Sequence, residues 1–188
     1  MKSKDLAYIA LFAAIVAALG LLPPLPVPAV PVPITAQTLG VMLAGSVLGA
    51  RRGGLALLVF LAVVAVGLPV LSGGRGGLGV FVGPSAGFLY SWPIAAVVTG
   101  LITQLCWRRY NVAWALVANL VGGVLVIYAV GIPVLSLFGH LPLSVAFTGS
   151  MAFVPGDLVK AVAASVVAVA VHKAYPVIEL PARRAAAG

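Results

Sequence analysis

The chain has 188 residues, 63% of them hydrophobic and 7% charged, with a formal net charge of +8 and a mean hydropathy of +1.22. That composition excludes a soluble globular domain and describes a protein embedded in lipid. A lone cysteine, Cys106, excludes an intrachain disulfide and a cysteine-built metal site, and with only Asp5, Asp157 and Glu179 as acids, a carboxylate-held metal or a catalytic acid–base pair is disfavoured.

A helix crossing a bilayer needs about 20 apolar residues. Six stretches qualify, at roughly 5–22, 36–50, 54–71, 86–106, 112–137 and 155–172. The second is short and either tilts little or extends into the proline-rich stretch before it. The expectation is an all-α integral membrane protein, a single domain over 1–188 with six transmembrane helices. The basic residues set its orientation. Lys2, Lys4, Arg51, Arg52, Arg108, Arg109, Lys173, Arg183 and Arg184 fall on one side of such a bundle, and Arg75 alone on the other. Lys and Arg concentrate in cytoplasmic loops, so both termini are expected in the cytoplasm. The positive charge reads as topology and affinity for anionic lipid, not as nucleic-acid binding.

The first stretch follows Lys2 and Lys4, as a signal peptide would. Its apolar run is long for one, and proline rather than a small-residue cleavage site follows, so it is read as a retained helix. Alanines at 10, 14 and 18, and at 13 and 17, are spaced for close helix approach in lipid. They serve either packing within the bundle or docking of another membrane subunit.

Six prolines between 23 and 33 make the next segment extended and stiff, a linker or a strap over a pocket. Thr35, Gln37 and Thr38 follow as the first polar cluster. The segment 72–87 is rich in glycine and surrounds Arg75. Its Gly74-x-Gly76-x-x-Gly79 matches the dinucleotide fingerprint only formally, without a βαβ unit or a ribose-binding acid. Glycine here lets backbone come close to a ligand or fold tightly over one. Gly-Leu-Pro-Val-Leu-Ser (67–72) recurs as Gly-Ile-Pro-Val-Leu-Ser (131–136), either by chance or as equivalent outer corners. Tyr90 and Trp92 suit interfacial anchoring. Asn119 and Tyr128 are polar groups within an apolar span. His140 and His172 are expected on opposite sides of the membrane. No P-loop motif is present, so the chain itself is not expected to bind ATP.

The last span opens with Phe-Val-Pro-Gly-Asp-Leu-Val-Lys (153–160). An ionisable residue at the bilayer centre costs about 2.5–3.5 kcal/mol on insertion scales. Asp157 and Lys160 are three apart, share a helix face and point at one object. Structurally, Asp157 suits the first turn of a helix and Lys160 can snorkel. Functionally, the two with Arg75 sum to +1, matching a small monoanion with neutral donors at its other end.

Val-Pro-Ile-Thr-Ala-Gln-Thr-Leu-Gly (32–40), Gly-Leu-Pro-Val-Leu-Ser-Gly-Gly (67–74), Gly-Pro-Ser-Ala-Gly-Phe-Leu (83–89), Ala-Asn-Leu-Val-Gly (118–122) and Pro-Gly-Asp-Leu-Val-Lys (155–160) resemble, in order, the signatures of the BioY family. These are substrate-binding subunits of bacterial biotin transporters of the energy-coupling-factor type, and the resemblance runs over about 5–173. It implies a multi-pass protein of the bacterial inner membrane that captures biotin from outside, is not an enzyme, uses no cofactor, and works with a membrane coupling subunit and cytoplasmic ATPases. Ala10 and Ala14 match the docking positions of related subunits. Some members work without the ATPases, and the oligomeric state stays open. Gly123 stands where some relatives have an acid.

On this resemblance the candidate ligand set is Asp157, Lys160, Arg75, Gly73, Gly74, Phe81, Tyr90, Asn119, Gln37 and Thr35. Asp157 would accept from the ureido N–H groups and Lys160 donate to the ureido carbonyl. Arg75 or glycine-loop amides would hold the carboxylate, unless Lys160 does. Phe81 and Tyr90 would cover the apolar part. The same fold serving another vitamin, or a membrane scaffold with Asp157–Lys160 as a plain ion pair, are the competing readings.

Overall fold

The computed structural model describes residues 3–178. Lys2, Glu179, Arg183 and Arg184, which entered the charge argument, lie outside the described residues. Helices α1 (Ser3–Leu19), α2 (Gln37–Ala65), α3 (Ala86–Leu105), α4 (Val112–Leu120), α5 (Ile127–Phe138), α6 (Leu143–Ser150) and α7 (Val154–Ala174) account for most of it. No strand is formed among the described residues. A π-helical stretch, Val121–Val126, joins α4 to α5 into one rod, and a 3₁₀ turn, Met151–Phe153, joins α6 to α7. Among the described residues four helical runs are long and apolar enough to cross a membrane: Gln37–Ala65, Ala86–Leu105, Val112–Phe138 and Leu143–Ala174. Leucines and valines stay exposed around the bundle, among them Leu6, Leu58, Leu101, Leu125 and Val159. In water that would be a liability; in lipid it is the expected outer surface.

The two spans expected at 36–50 and 54–71 form one element with a reversal inside it. Gly49 takes φ +79° and ψ 179°, a conformation that breaks the helix and suits glycine alone. The limbs on either side fold back on each other: a Cβ on Gly53 would stand 2.6 Å from the Ala44 carbonyl oxygen. At the far end the Gln37 side chain, at the start of α2, bonds to Val70 and Ser72, beyond its end. In a straight 29-residue helix these would lie about 40 Å apart at 1.5 Å per residue. Helix α3 crosses the reversal so closely that a Cβ on Gly100 would meet the Ala50 nitrogen at 2.2 Å. The second limb stops at Ala65, short of the expected residue 71, because Gly67 (φ +108°) and Pro69 follow.

The proline segment is not simply extended. Leu25 and Ile34 exchange both backbone hydrogen bonds, at 3.0 and 2.9 Å, and close it into a loop. Val30 and Val32 are buried, Val30 lying against Gly149 of α6. Helix α6 itself falls in the stretch expected to be an outer loop. Its Ala146, Gly149 and Ser150 are buried. It is eight residues long, too short for its pattern to stand out from a loop.

Candidate functional site

Pro155 lies in the first turn of α7, where its missing N–H costs nothing. Asp157 is in that turn, where the helix dipole favours a carboxylate. It is 4% exposed, yet well partnered. Tyr128 of α5 donates to Oδ2 at 2.7 Å, Lys160 Nζ to Oδ1 at 2.9 Å, and Thr38 of α2 to Oδ1 at 3.3 Å. Lys160 Nζ also donates to Thr38 Oγ1 at 3.0 Å and to the Thr35 carbonyl oxygen at 2.6 Å. An ammonium has three donors, and all three are used. The pair, with Asp157 buried and Lys160 partly so, is thus neutral and internally satisfied, and it ties three helices and the end of the proline loop together.

This cluster forms one wall of a cavity. Val32, Ile34 and Thr35 of the loop line it, as do Gln37, Arg75, Ser85 and Ile127. Gly73 (φ +79°) and Gly74 (φ +69°) make the tight turn that brings the Arg75 carbonyl back to the Leu71 amide at 3.0 Å. Arg75 then donates from Nε to the Ser72 carbonyl and from Nη1 to Ser85 Oγ, both at 3.3 Å. Burial pushes its guanidinium below its ordinary value, although arginine stays charged. With Lys160 neutralised by Asp157, Arg75 supplies the net positive charge of the cavity wall. The apolar wall is Phe88, Trp92, Tyr128 and Phe153. Phe153 makes edge contacts with Phe88 at 5.9 Å and Tyr128 at 6.4 Å. The π-helical stretch before α5 has a wider turn and so resets which face of α5 looks inward. Ile127 and Tyr128 both line the cavity as a result.

The profile of the BioY family matches residues 1–177. The chain belongs to the BioY family. It is similar to the biotin transporter BioY of Rhizobium etli, with 52% identity covering 97% of this chain and 100% of that protein. It is 51% identical to the biotin transporter BioY of Rhodobacter capsulatus, covering 88% and 91%, and 47% identical to the probable biotin transporter BioY of Bacillus subtilis, covering 93% of each. Among solved structures it is similar to the S-component for biotin from an ECF-type ABC transporter. The TM-score is 0.87 with 34% identity, over 92% of this chain and 95% of that one. These relatives are named as transporters, and the apolar helices agree with a membrane protein.

Not every residue singled out in the sequence reaches the cavity of this BioY-family chain. Asp157, Lys160, Arg75, Gln37 and Thr35 line it. Thr35 takes part through its carbonyl, and Gln37 is spent on backbone, bonding to Val16, Val70 and Ser72. Gly73 and Gly74 stand behind Arg75 as its turn. Phe81 and Tyr90 lie outside the cavity wall, stacked on each other at 6.0 Å, with the Tyr90 hydroxyl donating to the Phe81 carbonyl. Asn119 is fully buried elsewhere and donates to Ser165 Oγ at 3.0 Å. Ala10 and Ala14 are exposed on α1, whereas Ala13 is buried. Trp92, read as an interfacial anchor, is 4% exposed and part of the wall. Thr38, Ser85, Phe88, Tyr128 and Phe153 were absent from the candidate ligand set. Ser85 and Phe88 lie in the 83–89 motif and Phe153 directly before 155–160, which were the available signals.

At the other end of the bundle Arg52 pairs with Asp5 at 2.7 Å and donates to the Val177 carbonyl at 2.8 Å. His172 meets the Ser46 carbonyl at 2.8 Å and packs edge-on to Trp107 at 4.7 Å. The cavity and this basic, aromatic end are separated by the length of the α2 limbs.

Proposed function

We infer that this chain is the biotin-binding membrane subunit of an energy-coupling-factor transporter, taking up biotin together with a membrane coupling subunit and ATPases. The observation that carries the reading is the cavity that joins a largely buried, neutral Asp157–Lys160 pair to the cation Arg75. Biotin is a monoanion with two ureido N–H donors, a ureido carbonyl, and an apolar ring and chain. Its carboxylate suits Arg75, which keeps N–H groups in reserve, and its N–H groups suit the Asp157 carboxylate. Phe88, Trp92, Tyr128 and Phe153 offer the apolar contact. Similar proteins named as biotin transporters, and the similar S-component for biotin, support the same ligand.

The chain is then a single domain of six passes in the bacterial inner membrane. Both termini and the Arg51–Arg52 and Arg108–Arg109 turns are cytoplasmic, and the cavity is on the outer side. The reversal at Gly49 supports six passes, since it makes two limbs of α2. The exposed Ala10 and Ala14 suit docking of the coupling subunit, because small side chains let helix backbones approach.

Calorimetry of the purified protein tests the reading. Biotin binds without ATP, and Asp157→Asn weakens it at least tenfold in protein with an unchanged size-exclusion profile, about 1.4 kcal/mol. No heat and no competition with labelled biotin would reject it.

A further inference from the structure

The two arginines just after the reversal at Gly49 face different surroundings. Arg52 turns toward α1 and the segment after α7: it pairs with Asp5, donates to the Val177 carbonyl and stands over the Tyr8 ring at 6.0 Å. Arg51 is about 100° away around the helix. It is exposed and has no hydrogen bond or ion pair among the described residues. Asp5 and Asp157, the acids among those residues, are both paired elsewhere. The counter-charge of Arg51 therefore comes from outside the fold described.

Arg51 stands at one end of an open groove between the second limb of α2 and α3. Arg51, Gly54 and Leu58 follow at three- and four-residue steps and share one face of the limb, while Pro93, Ile94 and Val97 form the α3 side. The helices touch at Gly54, where a Cβ would stand 2.6 Å from Val97 Cγ2. Beside that contact Leu58 and Ile94 are exposed, so protein does not fill the valley between the two helices. From Arg51 to Leu58 it runs about 10 Å at 1.5 Å per residue. Arg51 is the one charged residue of its lining. The open groove between α5 and α6, walled by Leu125, Pro133, Leu143 and Phe147 among others, has no charged residue and suits any acyl chain.

We propose that the groove between the second limb of α2 and α3 binds a phospholipid with a net negative headgroup, its phosphate on Arg51 and an acyl chain against Leu58, Ile94 and Val97. An apolar lane with a cation at one end matches such a lipid in charge and in length-wise order. Arginine meets a phosphate through two N–H groups at once. On the six-pass reading above, Arg51 is at the cytoplasmic face, and the lipid belongs to that leaflet, where anionic headgroups attract basic side chains near the surface. The groove gives that attraction a fixed place, beyond the diffuse affinity of a basic surface for anionic lipid. A zwitterionic lipid also fills the lane but brings its own cation to the arginine.

Native mass spectrometry of the full-length purified protein tests this. The protein is released from micelles that hold phosphatidylglycerol and phosphatidylcholine with the same acyl chains in equal amounts. The parent is expected to retain phosphatidylglycerol about fivefold over phosphatidylcholine. Arg51→Gln is expected to retain the two equally. Arg108→Gln removes the same charge from the same end of the bundle and is expected to keep the parent's preference. Excess inorganic phosphate is expected not to displace the lipid. A preference that survives Arg51→Gln, or that falls as far in Arg108→Gln, would mean diffuse charge and overturns the site. Displacement by inorganic phosphate would mean an anion site without a lipid, and overturns it too. Should Arg51→Gln not fold, Leu58→Trp carries the test: it fills the lane and is expected to retain less of both lipids, and undiminished retention overturns the groove. No readout here uses biotin, and none of these residues lines the ligand cavity. Failure of the lipid site therefore leaves the transport reading standing, whereas a parent that binds no biotin overturns that reading alone.

Discussion

Tyr128 Oη stands 2.7 Å from Asp157 Oδ2, a hydrogen bond between helices α5 and α7 at a carboxylate that is 4% exposed. Hydrogen bonds to charged groups are worth about 1.5–3 kcal/mol, and this one fixes the carboxylate's plane. Tyr128→Phe keeps the ring contact with Phe153 and removes the donor. Biotin affinity is expected to fall about tenfold while the protein stays folded. Unchanged affinity would show that Lys160 and Thr38 alone suffice to hold Asp157.

Lys160 reaches the proline loop through the Thr35 carbonyl. Lys160→Met therefore does two things: it leaves Asp157 with an uncompensated charge and frees the loop where it closes the cavity. The expected result is a dissociation rate for biotin at least tenfold higher by stopped flow. A variant that releases biotin at the parent's rate would show that the loop is held by its Leu25–Ile34 pairing and by Val30.

Gln37 is 1% exposed and joins α1 to the segment after α2 through Val16, Val70 and Ser72. Gln37→Leu leaves buried backbone groups unpaired, at about 1–3 kcal/mol each. The midpoint of thermal unfolding is expected to drop by at least about 5 °C. A drop below about 1 °C would mean that the clasp is dispensable.

Ala14 and Ala10 are exposed one turn apart on α1 and touch no part of the cavity wall. Ala14→Trp is expected to abolish co-purification with the coupling subunit and biotin uptake, with biotin affinity within about twofold of the parent. Loss of binding would place that face inside the bundle. Unchanged co-purification would put the partner elsewhere.

Topology is tested by single cysteines in a Cys106→Ser background. A cysteine at position 75 is expected to react with an impermeant reagent in intact cells, and one at position 108 only after permeabilisation. The reverse pattern would invert the protein.

The sequence made some of this legible and hid the rest for identifiable reasons. Asp157 and Lys160 stand out because charge in an apolar span is costly and a three-residue spacing fixes a shared face. Arg75 stands out as the one basic residue in the connections expected on the outer side. Thr38, by contrast, meets Asp157 across 119 positions, a separation over which spacing carries no information. Phe81 and Tyr90 have the right composition for a ligand cover but pair with each other, and the cover falls to Phe88, Trp92, Tyr128 and Phe153, from three separate elements. In the sequence Gly49 falls near the end of the short span expected at 36–50. Its positive φ, which folds the chain back on itself, shows only in three dimensions.

The reversal at Gly49 also bears on how the chain is built into a membrane. The first limb, residues 37–48, is about 18 Å long at 1.5 Å per residue, well short of about 30 Å of hydrocarbon. Alone it would leave the peptide groups at its ends facing lipid, and each unsatisfied group costs several kcal/mol there. With the second limb packed beside it, and the Gln37 side chain bonding the Val70 carbonyl and the Ser72 amide beyond that limb's end, the hairpin satisfies part of its own polar backbone. On the six-pass reading, 37–72 is then expected to enter lipid as one helical hairpin, the first limb held until the second is beside it.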